Sequence, residues 1–148
     1  MFKLIKICAV LLFLTACNSG NQLSEMTINT ENGSVSYFVE NVETKEAMSK
    51  GLMGRKELKA DSGMVFNVNK VFDIAMWMKD TYIPLDILFV NKNGKIIWIV
   101  ENTVPLSTNL IRPNITEQLS VVIELNAGDV KKHNLKLNDT VKHKFIKN

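Results

Sequence analysis

Hydrophobic and polar positions alternate along several short segments of the chain, a pattern typical of β-strands that are buried on one face. The clearest case is a pair of apolar runs, Leu85 to Val90 and Ile96 to Val100, separated by Asn93-Gly94. Asn-Gly between two such runs predicts a β-hairpin, because both residues tolerate the positive φ of a tight turn. Asp86 breaks the first run, and a charge inside a strand is costly unless it has a partner.

Other segments extend this β pattern. Glu31-Asn32-Gly33 predicts a second hairpin, and Asp80 to Pro84 predicts a turn. Further strands are predicted over four apolar segments: Gly63–Val68, Ile74–Met78, Leu119–Leu125 and Thr140–Ile146.

Two short helical segments complete the predicted fold. Thr44 can cap a helix that begins in the segment TKEAMSKGLM, and Gly54 is placed to end it. Asp129 to His133 fits a single helical turn. The sequence therefore predicts a mainly β (α+β) fold, a single compact antiparallel β roll or barrel-like domain over residues 26–148 with one or two short helices.

The first residues have the pattern of an export signal. Lys3 and Lys6 precede an apolar run, Ile7 to Leu14, which is too short to span a bilayer, and the segment ends in Leu-Thr-Ala-Cys. This pattern predicts a lipoprotein signal peptide over residues 1–16, lipidation of Cys17 and a polar tether over residues 17–25. We therefore expect an extracytoplasmic protein of the bacterial cell envelope, bound to a membrane through the lipid on Cys17.

Charge and cysteine content narrow the possible functions. Removal of Lys3 and Lys6 takes the 18 basic residues to 16 against 15 acidic ones, so the mature domain is close to neutral and a nucleic-acid partner is not expected. The two cysteines are Cys8, within the signal, and Cys17. The domain therefore has no disulfide, thiolate nucleophile or cysteine metal site, and we expect no cofactor.

Three charged residues lie in otherwise apolar surroundings: Arg55, Asp86 and Glu124. Because one guanidinium can bind two carboxylates, they predict a buried network, either a structural clip or a ligand contact at the mouth of a pocket. An ideal two-residue hairpin would also place Asp86 opposite Glu101, where two carboxylates could share a proton.

Methionines are concentrated in the middle of the chain, beside Trp77. Thioethers are soft ligands suited to Cu(I), but methionine also fills irregular gaps in a core, and no cysteine or histidine lies near these positions in the sequence. Core packing is therefore the favoured interpretation, and no metal site is predicted. The residues are Met48, Met53, Met64, Met76 and Met78.

Several blocks occur in a fixed order: GLMGRKEL, SGMVFNV, MWMKDTYIPLDILFVNKNGKI, Pro105, VIELNAG and LKLNDTV. Together they resemble the prokaryotic family known as domain of unknown function 192. The resemblance implies a small, mainly β domain that is often exported, and it supplies no established reaction, cofactor or catalytic residue. It marks the family-pattern positions Arg55, Gly63, Met64, Trp77, Met78, Thr81, Pro84, Leu85, Asp86 and Glu124.

The favoured functional hypothesis is a non-catalytic accessory or binding module that contacts a small ligand or another envelope protein. No nucleophile, base and orienting group occur at a telling spacing, so no catalytic residue is predicted. The candidate contacts are Arg55, Asp86, Glu124, Trp77 and Thr81. The alternatives are a hydrolase-like enzyme that uses the Asp86 and Glu124 carboxylates, and a carrier of a soft metal held by methionines.

Overall fold

The computed structural model describes residues 23–147, so the predicted signal segment and Cys17 lie outside the described part of the chain. The elements in chain order are β1 (Leu23–Thr30), β2 (Gly33–Val42), α1 (Lys45–Lys50), β3 (Ser62–Asn67), β4 (Leu85–Asn91), β5 (Ile96–Val100), β6 (Leu119–Asn126), α2 (Asp129–His133) and β7 (Thr140–Lys142).

The strands form one sheet in the order β5-β4-β6-β3-β2-β1-β7. All paired strands are antiparallel except β2 and β3, which run parallel because α1 and the following loop carry the chain back between them. The two outer strands approach each other: Lys95 and Thr140 form a bridge, and the Val141 amide donates to the Gly94 carbonyl at 2.7 Å. The result is a nearly closed barrel, which confirms the predicted mainly β fold.

Side chains that point into the barrel form one apolar core. All strands contribute to it, as does Val130 of α2, which closes one end of the barrel. On β6, Val121, Ile123 and Leu125 point inward, as their alternation in the sequence predicts.

A second apolar core covers the outer face of β3, β6, β4 and β5. Its strand residues include Met64, Phe66 and Val122, and it is covered by α1 and by the segment from Ile74 to Ile83. Glu124 belongs to this outer face because its neighbours in sequence, Ile123 and Leu125, both point inward.

The segment Ile74–Met78 does not form the predicted strand. Among the described residues its sheet-like pairing is one isolated bridge, between Met76 and Ile111. The alternating side chains of Ile74, Met76 and Met78 instead pack against the outer core. The segment therefore crosses the face of the sheet and does not pair with an edge strand.

Some predicted boundaries also shift. Helix α1 is capped by Thr44, whose hydroxyl accepts the Ala47 amide at 3.2 Å, but it ends at Gly51 instead of Gly54. Strand β1 begins at Leu23, inside the segment predicted as a tether, and β7 ends at Lys142.

The β4–β5 hairpin has a three-residue loop and not the ideal two-residue turn. The Asn91 amide donates to the Lys95 carbonyl at 2.9 Å, and the Gly94 amide donates to the Asn91 carbonyl at 3.0 Å. Gly94 alone in this loop has positive φ, at 72°. This is the arrangement of a turn followed by a left-handed residue.

Candidate functional site

Glu124 lies in the middle of β6 with Met64 of β3 on one side and Ile87 of β4 on the other. The residue is 4% exposed, and its Oε2 atom has no hydrogen-bond partner among the described residues. Burial raises the pKa of the Glu124 carboxyl to about 8, and the nearby Arg55 charge opposes only part of this rise. Glu124 is therefore a buried, mostly protonated acid at neutral pH.

Arg55 makes its ion pair with Glu40 of β2 and not with Glu124. Its two terminal nitrogens each donate to one Glu40 oxygen, with Nη2 to Oε2 at 2.7 Å. The hydrogen bond to Glu40 raises the pKa of Arg55, which stays charged. Because the fork of the guanidinium is already occupied by one carboxylate, Glu124 gains only a longer-range attraction from it.

A small pocket of about 50 Å³ opens over Glu124. Its walls come from the last turn of α1 and the chain just after it, from Phe66, and from the Ala75–Thr81 segment. The lining residues are Met48, Ser49, Lys50, Gly51, Leu52, Met53, Phe66, Ala75, Met76, Trp77, Thr81 and Glu124. We call this the Glu124 pocket.

Backbone hydrogen bonds hold the wall that carries Trp77 and Thr81. The Gly54 amide donates to the Asp80 carbonyl at 2.8 Å, and the Leu106 amide donates to the Thr81 carbonyl at 3.0 Å. The Thr81 hydroxyl donates to the Lys79 carbonyl at 3.2 Å. Thr81 is buried, whereas Trp77 is 40% exposed and stands at the mouth, with the Lys79 ammonium 5.3 Å from its ring centroid.

The pocket adjoins a longer groove of about 330 Å³. The two cavities share six lining residues: Met48, Ser49, Phe66, Ala75, Met76 and Trp77. The pocket alone has room for one or two water molecules or a group of that size, whereas the groove has room for the rest of a longer ligand.

The methionines divide into two groups. Met64 and Met78 are each 1% exposed and belong to the outer core, as predicted for core packing. Met48, Met53 and Met76 are half-buried and line the Glu124 pocket. Met48 and Met76 also pack against the outer core, so the core interpretation holds for four of these five side chains. Met48, Met53 and Met76 at the same time place thioethers around a buried carboxyl.

Asp86 is not part of this site, so the predicted three-residue clip is wrong. Asp86 pairs with Leu125, whose side chain points into the barrel, whereas Glu124 points outward. The Asp86 oxygens accept three backbone amides: Asn102 at 2.8 Å on Oδ1, and Gly128 and Val130 at 2.9 Å on Oδ2. Asp86 thus ties the start of α2 to the barrel.

The predicted sharing of a proton between Asp86 and Glu101 is also wrong. The pairing of Ile87 with Val100 would bring the two carboxylates into register, as the sequence suggested. Both Asp86 oxygens, however, are occupied by amide donors, and Glu101 is exposed. The Asp86 oxygens are therefore bound by backbone amides and do not pair with the Glu101 carboxyl.

Sequence reasoning did not single out Glu40. The same criterion applies to it, because Glu40 is a charged residue in the strand segment YFVENV, with Val39 and Val42 buried on either side. If Glu40 is added to the three isolated charges, Arg55 has a carboxylate partner close to it in the sequence. Glu124 is then left without an ion-pair partner.

No group of three or more histidine, cysteine, aspartate and glutamate side chains in residues 23–147 could hold a metal ion. Within the same residues, no helix has the length and apolar character needed to cross a membrane.

A family model with the description "Uncharacterized ACR, COG1430" matches residues 27–143. The chain belongs to the DUF192 family. Similar crystal structures include a chain from Sinorhizobium meliloti 1021, described as a candidate transcription regulator, with 34% identity, a TM-score of 0.78 and coverage of 83% of this chain and 95% of that one. Another, a protein of unknown function from Novosphingobium aromaticivorans DSM 12444, has 30% identity, a TM-score of 0.79 and coverage of 86% and 90%. No curated protein matches the chain.

Proposed function

We propose that this DUF192 protein is a lipid-anchored binding module of the bacterial cell envelope, and that its ligand binds in the Glu124 pocket. The observation that carries the proposal is the Glu124 carboxyl, which is 4% exposed, has no hydrogen-bond partner on Oε2 within residues 23–147 and lines an open pocket. A buried polar atom without a partner is costly, and a ligand that pairs with it recovers that cost.

The charges around the pocket favour a ligand with a small cationic group. Arg55 is paired with Glu40 and the other cation of the pocket wall, Lys50, is exposed, so an ionised Glu124 would have no ion pair of its own among the described residues. Trp77 at the mouth offers a ring face that already attracts the Lys79 ammonium. A bound ammonium group would therefore displace the proton from Glu124 and lie beside an aromatic ring.

The enzyme alternative has little support. It required Asp86 and Glu124 to act on one substrate, but these carboxylates point to opposite faces of β4 and β6. With Asp86 engaged by three amides, Glu124 would have to act without a second carboxyl from the predicted set.

A soft-metal carrier is the second candidate, favoured by one specific observation. Met48, Met53 and Met76 line the pocket together with Glu124. Thioether ligands select Cu(I) among biological metals, and a carboxylate would balance the charge of a monovalent ion.

Calorimetric titration tests the binding module with methylammonium as the probe. We expect the lipidated wild-type protein at pH 7 to bind methylammonium and release a proton, because Glu124 must ionise. Glu124→Gln should not bind, and Glu101→Gln, which changes an exposed carboxyl, should bind normally. Equal binding by Glu124→Gln, or no binding by the wild type, would contradict the proposed ligand class.

Silver(I), a stable substitute for Cu(I), separates the second candidate from the first. If the pocket carries a soft metal, Ag(I) should shift the methyl resonances of Met48, Met53 and Met76, and the double variant Met48→Leu/Met76→Leu should lose Ag(I) while it keeps methylammonium. Shifts at other methionines alone would exclude the metal site.

The anchor is tested by a single substitution. Cys17→Ser should release the protein from the membrane fraction or alter its processing, because the lipid on Cys17 supplies the attachment. A variant that fractionates and migrates like the wild type would show that Cys17 is not the anchor.

A further inference from the structure

Five lysines surround one broad cavity of about 700 Å³ at one end of the barrel. All five are exposed, and Glu43 is the acidic residue in the cavity wall. They come from separate segments: the first residue of α1, the loop after β3, the β4–β5 loop and the chain after β7. We call them the basic face: Lys45, Lys70, Lys92, Lys144 and Lys147.

Two exposed apolar side chains adjoin the basic face. Val71, which lines the same cavity, is 37% exposed, and Phe72 is 93% exposed, the highest value among the large hydrophobic residues of the described chain. Phe72 follows Val71 in the sequence and lines the neighbouring cavity with Asp73, Arg112 and Glu117. Lysines beside a protruding aromatic residue form the combination that binds the surface of a membrane, where the ring enters the headgroup region and the ammonium groups meet anionic lipids.

The first described strand starts at this same end. The Ser24 hydroxyl lies 2.9 Å from both the Asn41 Oδ1 atom and the His143 Nε2 atom, next to Lys144. Cys17 precedes Leu23 by six positions, which an extended chain can bridge over at most about 20 Å. A lipid on Cys17 would therefore keep the basic face close to the bilayer.

We propose that the basic face lies on an anionic phospholipid surface, with Phe72 inserted among the headgroups. Charge complementarity and the position of the predicted anchor both support this occupant. The inference uses the lipid anchor of the proposed function but not the Glu124 pocket. It gives the domain an orientation, in which the end of the barrel that carries Val71 and Phe72 faces the membrane.

The test uses lipidated protein reconstituted in vesicles of phosphatidylcholine or phosphatidylglycerol. In the variant Phe72→Trp, the new indole reports insertion when its emission is quenched by brominated lipids, after subtraction of the signal of the unsubstituted protein. We expect strong quenching in phosphatidylglycerol vesicles, several-fold weaker quenching in phosphatidylcholine, and a decrease of the difference at high salt.

Charge reversal provides the matched comparison. Lys70→Glu/Lys92→Glu/Lys144→Glu, introduced into the Phe72→Trp protein, should abolish the dependence on phosphatidylglycerol. A control set at the other end of the barrel, Lys56→Glu/Lys59→Glu/Lys131→Glu, should leave it unchanged. Among the control residues, Lys59 lies beside Asn126, the last residue of β6, whose side-chain amide donates to the Lys59 carbonyl at 3.0 Å, and Lys131 belongs to α2, which follows β6.

The outcomes separate the two proposals. Protein that does not float with either type of vesicle contradicts the lipid anchor. Protein that floats with both but shows equal quenching, or whose quenching survives the reversal of the basic face, overturns the proposed orientation alone.

Two other anions are tested in parallel. A labelled DNA duplex that binds the wild type and not the charge-reversed variant, without any effect of phosphatidylglycerol, would replace the membrane with a nucleic acid. Binding of inorganic phosphate, without burial of the indole, would replace it with a small soluble anion.

Discussion

Glu40 and Glu124 stand on the same face of the sheet, two strands apart, with Met64 between them. Glu40 binds the Arg55 guanidinium through both oxygens, while the Glu124 Oε2 atom has no hydrogen-bond partner in the described chain. One arginine next to two acids leaves the more deeply buried acid protonated, because desolvation penalises its charged form and the nearest cation is already paired.

The pKa of Glu124 makes stability depend on pH in a defined direction. The unfolded carboxyl releases its proton near pH 4.5, whereas the folded one retains it up to about pH 8. Unfolding therefore releases a proton between these values, and the free energy of unfolding should fall as the pH rises, by about 3–5 kcal/mol in total. Glu124→Gln should remove this slope and be more stable than the wild type at pH 8.

His143 acts in the opposite direction at lower pH. Burial and the Lys144 charge lower its pKa to about 4, so its contribution to stability rises between pH 4 and pH 6.5. The difference between wild type and Glu124→Gln in urea unfolding cancels the His143 contribution, which is common to both. A difference that stays constant from pH 5 to pH 8 would contradict the raised pKa of Glu124.

Arg55 should be energetically coupled to Glu40 and independent of Asp86. In a double-mutant cycle, Arg55→Met and Glu40→Gln should show a coupling of about 1 kcal/mol, a moderate value because the Arg55 side chain is 37% exposed. Arg55→Met and Asp86→Asn should be additive, since these residues lie on opposite faces. Urea unfolding of the single and double variants measures both couplings, and coupling between Arg55 and Asp86 would contradict the assigned pairs.

Asp86→Asn should destabilise the fold by roughly 2–4 kcal/mol, because an amide side chain cannot accept all three of the backbone amides that Asp86 binds. Hydrogen exchange should accelerate first at Gly128 and Val130. Asp139→Asn is the matched control, since the Asp139 Oδ2 atom accepts the Lys136 amide at 2.7 Å near the surface. If Asp86→Asn cost no more than the control, the role of Asp86 at the start of α2 would have to be abandoned.

Local patterns in the sequence predict most of the strands. Three features depend only on neighbouring residues and can be predicted without the tertiary structure: the alternation in β6, the apolar run of β4 and the cap at Thr44. The Ile74–Met78 segment shows the limit of this reasoning, because a period of two also fits an irregular segment that packs across a sheet.

Of the five candidate contacts named from the sequence, Arg55 and Asp86 do not line the Glu124 pocket. Trp77, Thr81 and Glu124 do line one pocket. Whether a strand residue points into or out of the barrel, however, depends on how the strands close, and this separates Asp86 from Glu124. The basic face could not be predicted from the sequence for a similar reason, since its five lysines come from segments that meet only in the folded chain.

The two hairpin glycines should respond unequally to the same substitution, and Gly94→Val should destabilise more than Gly33→Val. Both have positive φ, which costs a side chain about 1–2 kcal/mol. A Cβ atom on Gly94 would also lie 2.8 Å from the Val141 carbonyl oxygen, where β5 and β7 close the barrel, whereas nothing lies within 4 Å of a Cβ on Gly33. Thermal unfolding compares the variants directly. Equal melting temperatures would mean that separating Gly94 from β7 costs no stability. That result would contradict a stabilising role for the hydrogen bond from the Val141 amide to the Gly94 carbonyl.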